Sequence, residues 1–127
     1  MNERPEGKFQ EKLCTLLTCK VRPEIIWMHN ANGELRHPAV ARRLKAMGVK
    51  PGVPDLCFLL EHGRTAWLEL KSATGNLTPE QRGFGVKCRR LGHYWAVAHS
   101  MEDAVKILKG WNVFRPDEDF SDHELAA

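Results

Sequence analysis

The chain has 127 residues, 43% hydrophobic and 28% charged, with a formal net charge of +3. That length suits one domain with a real core. No run approaches the ~18 apolar residues that span a membrane, and the opening Met1-Asn2-Glu3-Arg4-Pro5-Glu6 lacks the apolar stretch of a secretory signal. Cys14, Cys19, Cys57 and Cys88 have no CxxC spacing and no His pair, which argues against zinc and fits a reducing, cytoplasmic compartment.

The charge is uneven. Residues 115–127 hold five acidic residues against Arg115 alone, so residues 1–114 keep 18 basic and 11 acidic residues and carry +7. The reading is a basic domain over 1–114 and an acidic, disordered tail over 115–127. A basic body suits a polyanionic partner, and the tail could shield it.

In chain order, Pro5-Glu6-Gly7 opens a helix to about Lys20, with Phe9, Leu13, Leu16 and Leu17 in one stripe. At 100° per residue Glu6 and Gln10 lie beside that stripe and Glu11 points away. Arg22-Pro23 ends the helix. Glu24–His29 reads as a strand and Asn30-Ala31-Asn32-Gly33 as a turn. A short helix over Pro38–Met47 carries Arg42, Arg43 and Lys45 and stops at Gly48. Strands over Asp55–Glu61 and Thr65–Lys71 flank a His62-Gly63-Arg64 turn.

Thr78-Pro79-Glu80-Gln81 is a helix start with Thr78 as N-cap, Pro79 at the first position and Gln81 completing a capping box. The helix runs to about Leu91. Gly83 and Gly85 inside it each cost about 1 kcal/mol relative to Ala, so close packing is expected there; Gly83-Phe84-Gly85 lacks the third glycine of a dinucleotide fingerprint. A strand over His93–His99 and a Ser100-capped helix over Met101–Lys109 follow. The order α-β-α-β-β-α-β-α predicts an α/β fold, a mixed four-stranded sheet flanked by helices, with a right-handed crossover after Thr65–Lys71.

A three-residue turn pairs Glu61 with Thr65, Cys57 with Glu69 and Asp55 with Lys71. Asp55, Cys57, Glu69 and Lys71 then share one face, with the two carboxylates as diagonal neighbours. Leu56, Phe58, Leu60, Ala66, Leu68 and Leu70 face the core. Two half-buried carboxylates need a counter-charge. A structural ion pair with Lys71 is one answer. The other is Mg²⁺ (or Mn²⁺), which binds through one or two carboxylates plus water and phosphate oxygens, with Lys71 beside an attacking water.

Pro54-Asp55 followed by Glu69-Leu70-Lys71 resembles the PD-(D/E)xK nuclease superfamily. The flanking Gly48-Val49-Lys50-Pro51-Gly52-Val53-Pro54-Asp55-Leu56, Trp67-Leu68-Glu69-Leu70-Lys71, Leu77-Thr78-Pro79-Glu80-Gln81 and Leu91-Gly92-His93 are similar to a stand-alone VRR-NUC domain over about residues 6–110. The resemblance implies a restriction-endonuclease-like core. It also implies metal ligation by Asp55, Glu69 and the Leu70 backbone carbonyl, with Lys71 catalytic and Gln81 near the active site. Glu6 fits an acidic position on the first helix, and His29-Asn30 resembles a segment ending the first strand. Small stand-alone members resemble phage or bacterial enzymes that dimerise and cut branched DNA such as four-way (Holliday) junctions. The expectation is a homodimeric, Mg²⁺-dependent DNA endonuclease in the cytoplasm of a bacterial or phage-infected cell, with no membrane partner. Arg36, Arg42, Arg43, Lys45, Lys50 and the Lys87-Cys88-Arg89-Arg90 cluster are candidate phosphate contacts. A catalytically silent DNA-binding module and a restriction-type nuclease are the alternatives.

Overall fold

The computed structural model describes residues 5–31 and 37–126; Arg36 and the turn residues Asn32 and Gly33 lie outside that range. The elements are α1 (Pro5–Lys20), β1 (Ile26–His29), α2 (Pro38–Ala46), β2 (Leu56–Leu59), β3 (Thr65–Leu70), α3 (Pro79–Arg90), β4 (Tyr94–Ala98), α4 (Met101–Gly110) and α5 (Asp122–Leu125). The sheet runs β1-β2-β3-β4, antiparallel for the first two pairs and parallel for β3 with β4. Among the described residues no helix is long and apolar enough to cross a membrane.

The core lies between the sheet and α1 with α4. Leu13 and Leu17 of α1 meet Leu56, Phe58, Leu68 and Leu70 of the hairpin and Met101, Ala104 and Leu108 of α4, all essentially inaccessible. Each of the larger of these side chains contributes about 1.5–3 kcal/mol by burial. The β3–β4 part of the opposite face is covered by α3, where Phe84 packs edge-on to Trp67 and a Cβ on Gly85 would lie 2.4 Å from the Trp95 ring. Close packing therefore explains Gly85. It does not explain Gly83, around which a Cβ would meet nothing within 4 Å.

The hairpin register differs from the expected one by two residues. Leu56 pairs with Leu68 and Leu59 with Thr65. Five residues, not three, make the connection. Leu60 donates its N–H to the Arg64 carbonyl at 2.9 Å, and His62 (φ 64°) and Gly63 (φ 72°) both take the left-handed conformation inside a 3₁₀ turn. A shift of two preserves which face each side chain occupies. Continued past its last pair, the observed ladder sets Asp55 directly opposite Glu69 instead of opposite Lys71.

The tail also departs from expectation. Residues 115–126 fold against α1 and α4. The Phe120 ring packs edge-on to Phe114 at 4.8 Å, beneath the ammonium groups of Lys20 and Lys109. Ser121 and Glu124 form a capping box for α5, and Glu124 pairs with Lys20 at 3.1 Å. Charge counting overlooked Phe120, Leu125 and this cap.

Candidate active site

The Pro54-Asp55 segment is held from two sides. At the end of β1, Asn30 donates its backbone N–H to the Asp55 carbonyl at 2.8 Å and its side-chain Nδ2 to the Pro54 carbonyl at 3.0 Å. His29 Nδ1 lies 2.9 Å from the Asp55 carbonyl and 2.7 Å from Gln10 Nε2 of α1. On the other side Gly52 (φ 84°) lies against α3; a Cβ there would be 2.4 Å from the Glu80 carbonyl oxygen. Only glycine allows both that φ and that approach.

These anchors bring Asp55 beside Glu69. Asp55 Oδ2 accepts the Leu70 N–H at 2.7 Å. Glu69 is 4% exposed, and its Oε1 accepts from Gln81 Nε2 at 2.7 Å. Gln81 Oε1 in turn accepts the Thr78 N–H at 2.9 Å while the Thr78 hydroxyl accepts the Gln81 N–H, which completes the capping box. Gln81 thus caps α3 and holds a site carboxyl at once. Glu69 Oε2 is buried and has no hydrogen-bond partner among the described residues.

Burial, then the neighbouring Asp55, pushes the Glu69 carboxyl up to about 8, against the pull of Lys71. Burial also raises Asp55, opposed by the Leu70 N–H and the charges of His29 and Lys71. Among the described residues Lys71 makes no direct ion pair with either carboxyl, although its charge favours the ionised form of both.

The pair opens into a cleft of about 780 Å³. Ala41, Leu44 and Lys45 of α2 and Val49 to Val53 form one wall, the first turn of α3 another, and Glu6 and Gly7 of α1 a third. Glu6 raises both carboxyl pKa values slightly, the smallest contribution to each. Among the described residues no three His, Cys, Asp or Glu side chains form a group able to hold a metal, so Glu6 borders the carboxylate pair without joining it. Two carboxyls, one with an unpartnered buried oxygen, fit a hard cation that retains water ligands. They do not fit a closed four-ligand zinc cage.

The VRR-NUC domain profile matches residues 8–102, most of the chain. The chain belongs to the VRR-NUC domain family. That family is of nuclease type. A solved structure described as a VRR_NUC domain protein shares the fold, with a TM-score of 0.63 at 20% identity over 87% of this chain and 90% of the other. No curated protein matches the chain by sequence.

In this VRR-NUC domain the expected basic residues occupy distinct places. Lys45 and Lys50 line the cleft. Arg42 and Arg43 are exposed on α2, outside the cleft lining. Arg89 is committed to the fold, donating from Nη2 to the Trp95 carbonyl at 3.0 Å with its guanidinium over the Trp95 ring. Arg90 is exposed on the outer side of α3, next to a second groove. Sequence reasoning missed the anchoring by Asn30 and the Gly52–Glu80 contact. The signals were there: an Asn at a strand end, and a glycine enclosed by two prolines.

Proposed function

We propose that this protein is a metal-dependent DNA endonuclease, selective for branched DNA such as four-way junctions and active as a homodimer. The observation that carries the reading is the buried, unpartnered Glu69 Oε2 beside Asp55, in a chain of a nuclease-type family. A Mg²⁺ or Mn²⁺ ion held by Asp55, Glu69 and the Leu70 carbonyl would neutralise the scissile phosphate and acidify a water.

The remaining work falls to the chain's own groups. Glu69, protonated near neutral pH without a cation, gives up its proton for the site to load. Gln81 holds Oε1 and so fixes where Oε2 points. Leu70 N–H and Asn30 fix Asp55. Lys71, two residues beyond Glu69 on the same face, orients the attacking water and stabilises charge growing on the phosphoryl oxygens. Lys45 and Lys50 on the cleft wall hold adjacent phosphates. Symmetric cutting of a junction needs two such sites, which supports a two-fold dimer.

The test is cleavage of linear duplex, flap and four-way-junction DNA in Mg²⁺, Mn²⁺ or EDTA, with sedimentation to give the oligomeric state. Cutting should require metal and favour the junction. Lys71→Ala should abolish it, a loss of at least about 10³-fold, and leave binding largely intact. A folded, metal-loaded protein that cuts no substrate sinks the enzyme reading. Equal rates on duplex and junction remove only the branched-DNA preference.

A further inference from the structure

The two glycines of α3 pose different questions. Gly85 sits under Trp95, where a side chain has no room. Gly83 points outward, is exposed, and would meet nothing within 4 Å if it carried a Cβ. Its φ is not positive, so the backbone does not require glycine. A mid-helix glycine with neither reason weakens α3 without structural return. What glycine does provide there is access: a large partner can approach the helix backbone closely.

Gly83 lies in a groove of about 520 Å³ floored by Leu77 and Val86 and edged by Arg82, Lys87 and Arg90. No acidic side chain lines it. Among the described residues none of the three cations forms an ion pair. The groove and the cleft are lined by neighbouring residues of the same segment. Leu77 and Pro79 line the groove, while Thr78, Glu80 and Gln81 between and beside them line the cleft.

We propose that the outer groove of α3 is a second docking surface for the DNA backbone, with Gly83 as the point of closest approach. This rests on the nuclease reading above. A strand or branch leaving the cleft past the first turn of α3 runs along the outer face of the helix. Its phosphates meet Arg82, Lys87 and Arg90, and its sugars lie over Gly83 and Val86. A second copy of the chain fits poorly, because a two-fold contact centred here would oppose identical cationic patches. Arg89 takes no part, being held on Trp95.

Substitution at Gly83 separates this from a solvated face. Binding of a fluorescein-labelled four-way junction is followed by anisotropy across a salt series, with Ca²⁺ replacing Mg²⁺, alongside thermal melts and sedimentation. Gly83→Ala should raise Tm by about 3–6 °C and weaken binding about threefold. Gly83→Leu, also a good helix former, should weaken it about tenfold without lowering Tm. Replacing Arg82, Lys87 and Arg90 together with Ala should reduce the slope of log K against log salt by about 2–3. If the wild type binds and cuts DNA while Gly83→Leu and the triple variant keep its affinity and slope, this inference fails and the nuclease reading stands. A change in sedimentation mass with Gly83→Leu assigns the groove to a second copy and overturns it as well. A wild type that binds no DNA removes both readings.

Discussion

Helices α2 and α3 flank the same cleft, and both carry basic residues, yet they are attached to the protein in different ways. α3 is pinned at its start by the Thr78–Gln81 box, at its middle by Gly85 under Trp95, and through Gln81 to Glu69. α2 is capped at its start by the His37 ring, which accepts the Ala39 N–H at 3.1 Å, and at its end by backbone bonds from Gly48 and Val49, and it buries none of its residues. Val40 and Met47 remain 49% and 70% exposed. Like charge on two helices therefore does not mean like function. α3 is part of the framework that builds the carboxylate site, while α2 is a wall that the framework does not need.

The largest expected effect tests the tie between α3 and the carboxylate. Because the folded Glu69 pKa is raised from 4.5 to about 8, its contribution to stability is full below about pH 4.5 and is lost as pH rises to about 8. In metal-free protein Glu69→Gln should remove that decline. The gain at pH 8 is on the order of 5 kcal/mol at most, the bound set by the shift itself, and is read from urea midpoints across pH. Next, Gly85→Ala should cost about 2–3 kcal/mol, because its methyl overlaps the Trp95 ring. Ala41→Gly on α2 should leave the global unfolding midpoint almost unchanged.

Cap removal draws the same contrast at smaller scale. Gln81→Ala breaks the box and strips Glu69 Oε1 of its donor, for about 1–3 kcal/mol. His37→Ala should shift the global midpoint by less than about 0.5 kcal/mol. A cap on α2 that proved as costly as Gln81 would break the comparison. The smallest stability effect, essentially none, is expected for Arg42→Ala with Arg43→Ala. Each should instead lower the salt slope of DNA binding by about 0.9 if it contacts a phosphate.

Much of this was legible in the sequence because the relevant signals are local. The capping box, Pro79 at the first helical position, and the alternation that puts Asp55 and Glu69 on one face depend only on neighbouring residues. The pairing register was not legible for a physical reason. A sheet repeats every two residues, so hydrophobic patterning cannot distinguish registers that differ by two. Only the conformation of His62 settles it, and a non-glycine residue at positive φ leaves little trace in composition. Arg89 shows another limit: its charge is visible, but its bond to the Trp95 carbonyl depends on α3 packing against β4. The tail failed for a similar reason, since what orders it is Phe120 meeting Phe114 and two lysines.

That last contact reaches further than the tail. α1 is 16 residues long, so Glu6 at the cleft and Lys20 over the Phe120 ring are about 21 Å apart along its axis. Lys12 and Lys20 are both tethered to residues 119–126, by bonds to backbone carbonyls and to Glu124. One helix thus meets the cleft with its first turn and the tail through Lys12 and Lys20, with Leu13, Leu16 and Leu17 fixed in the core. Deleting residues 115–126 would remove the bonds to those two lysines, while the Val21–Phe114 bridge and the bond from the Arg22 N–H to the Val113 carbonyl would still hold the end of α1.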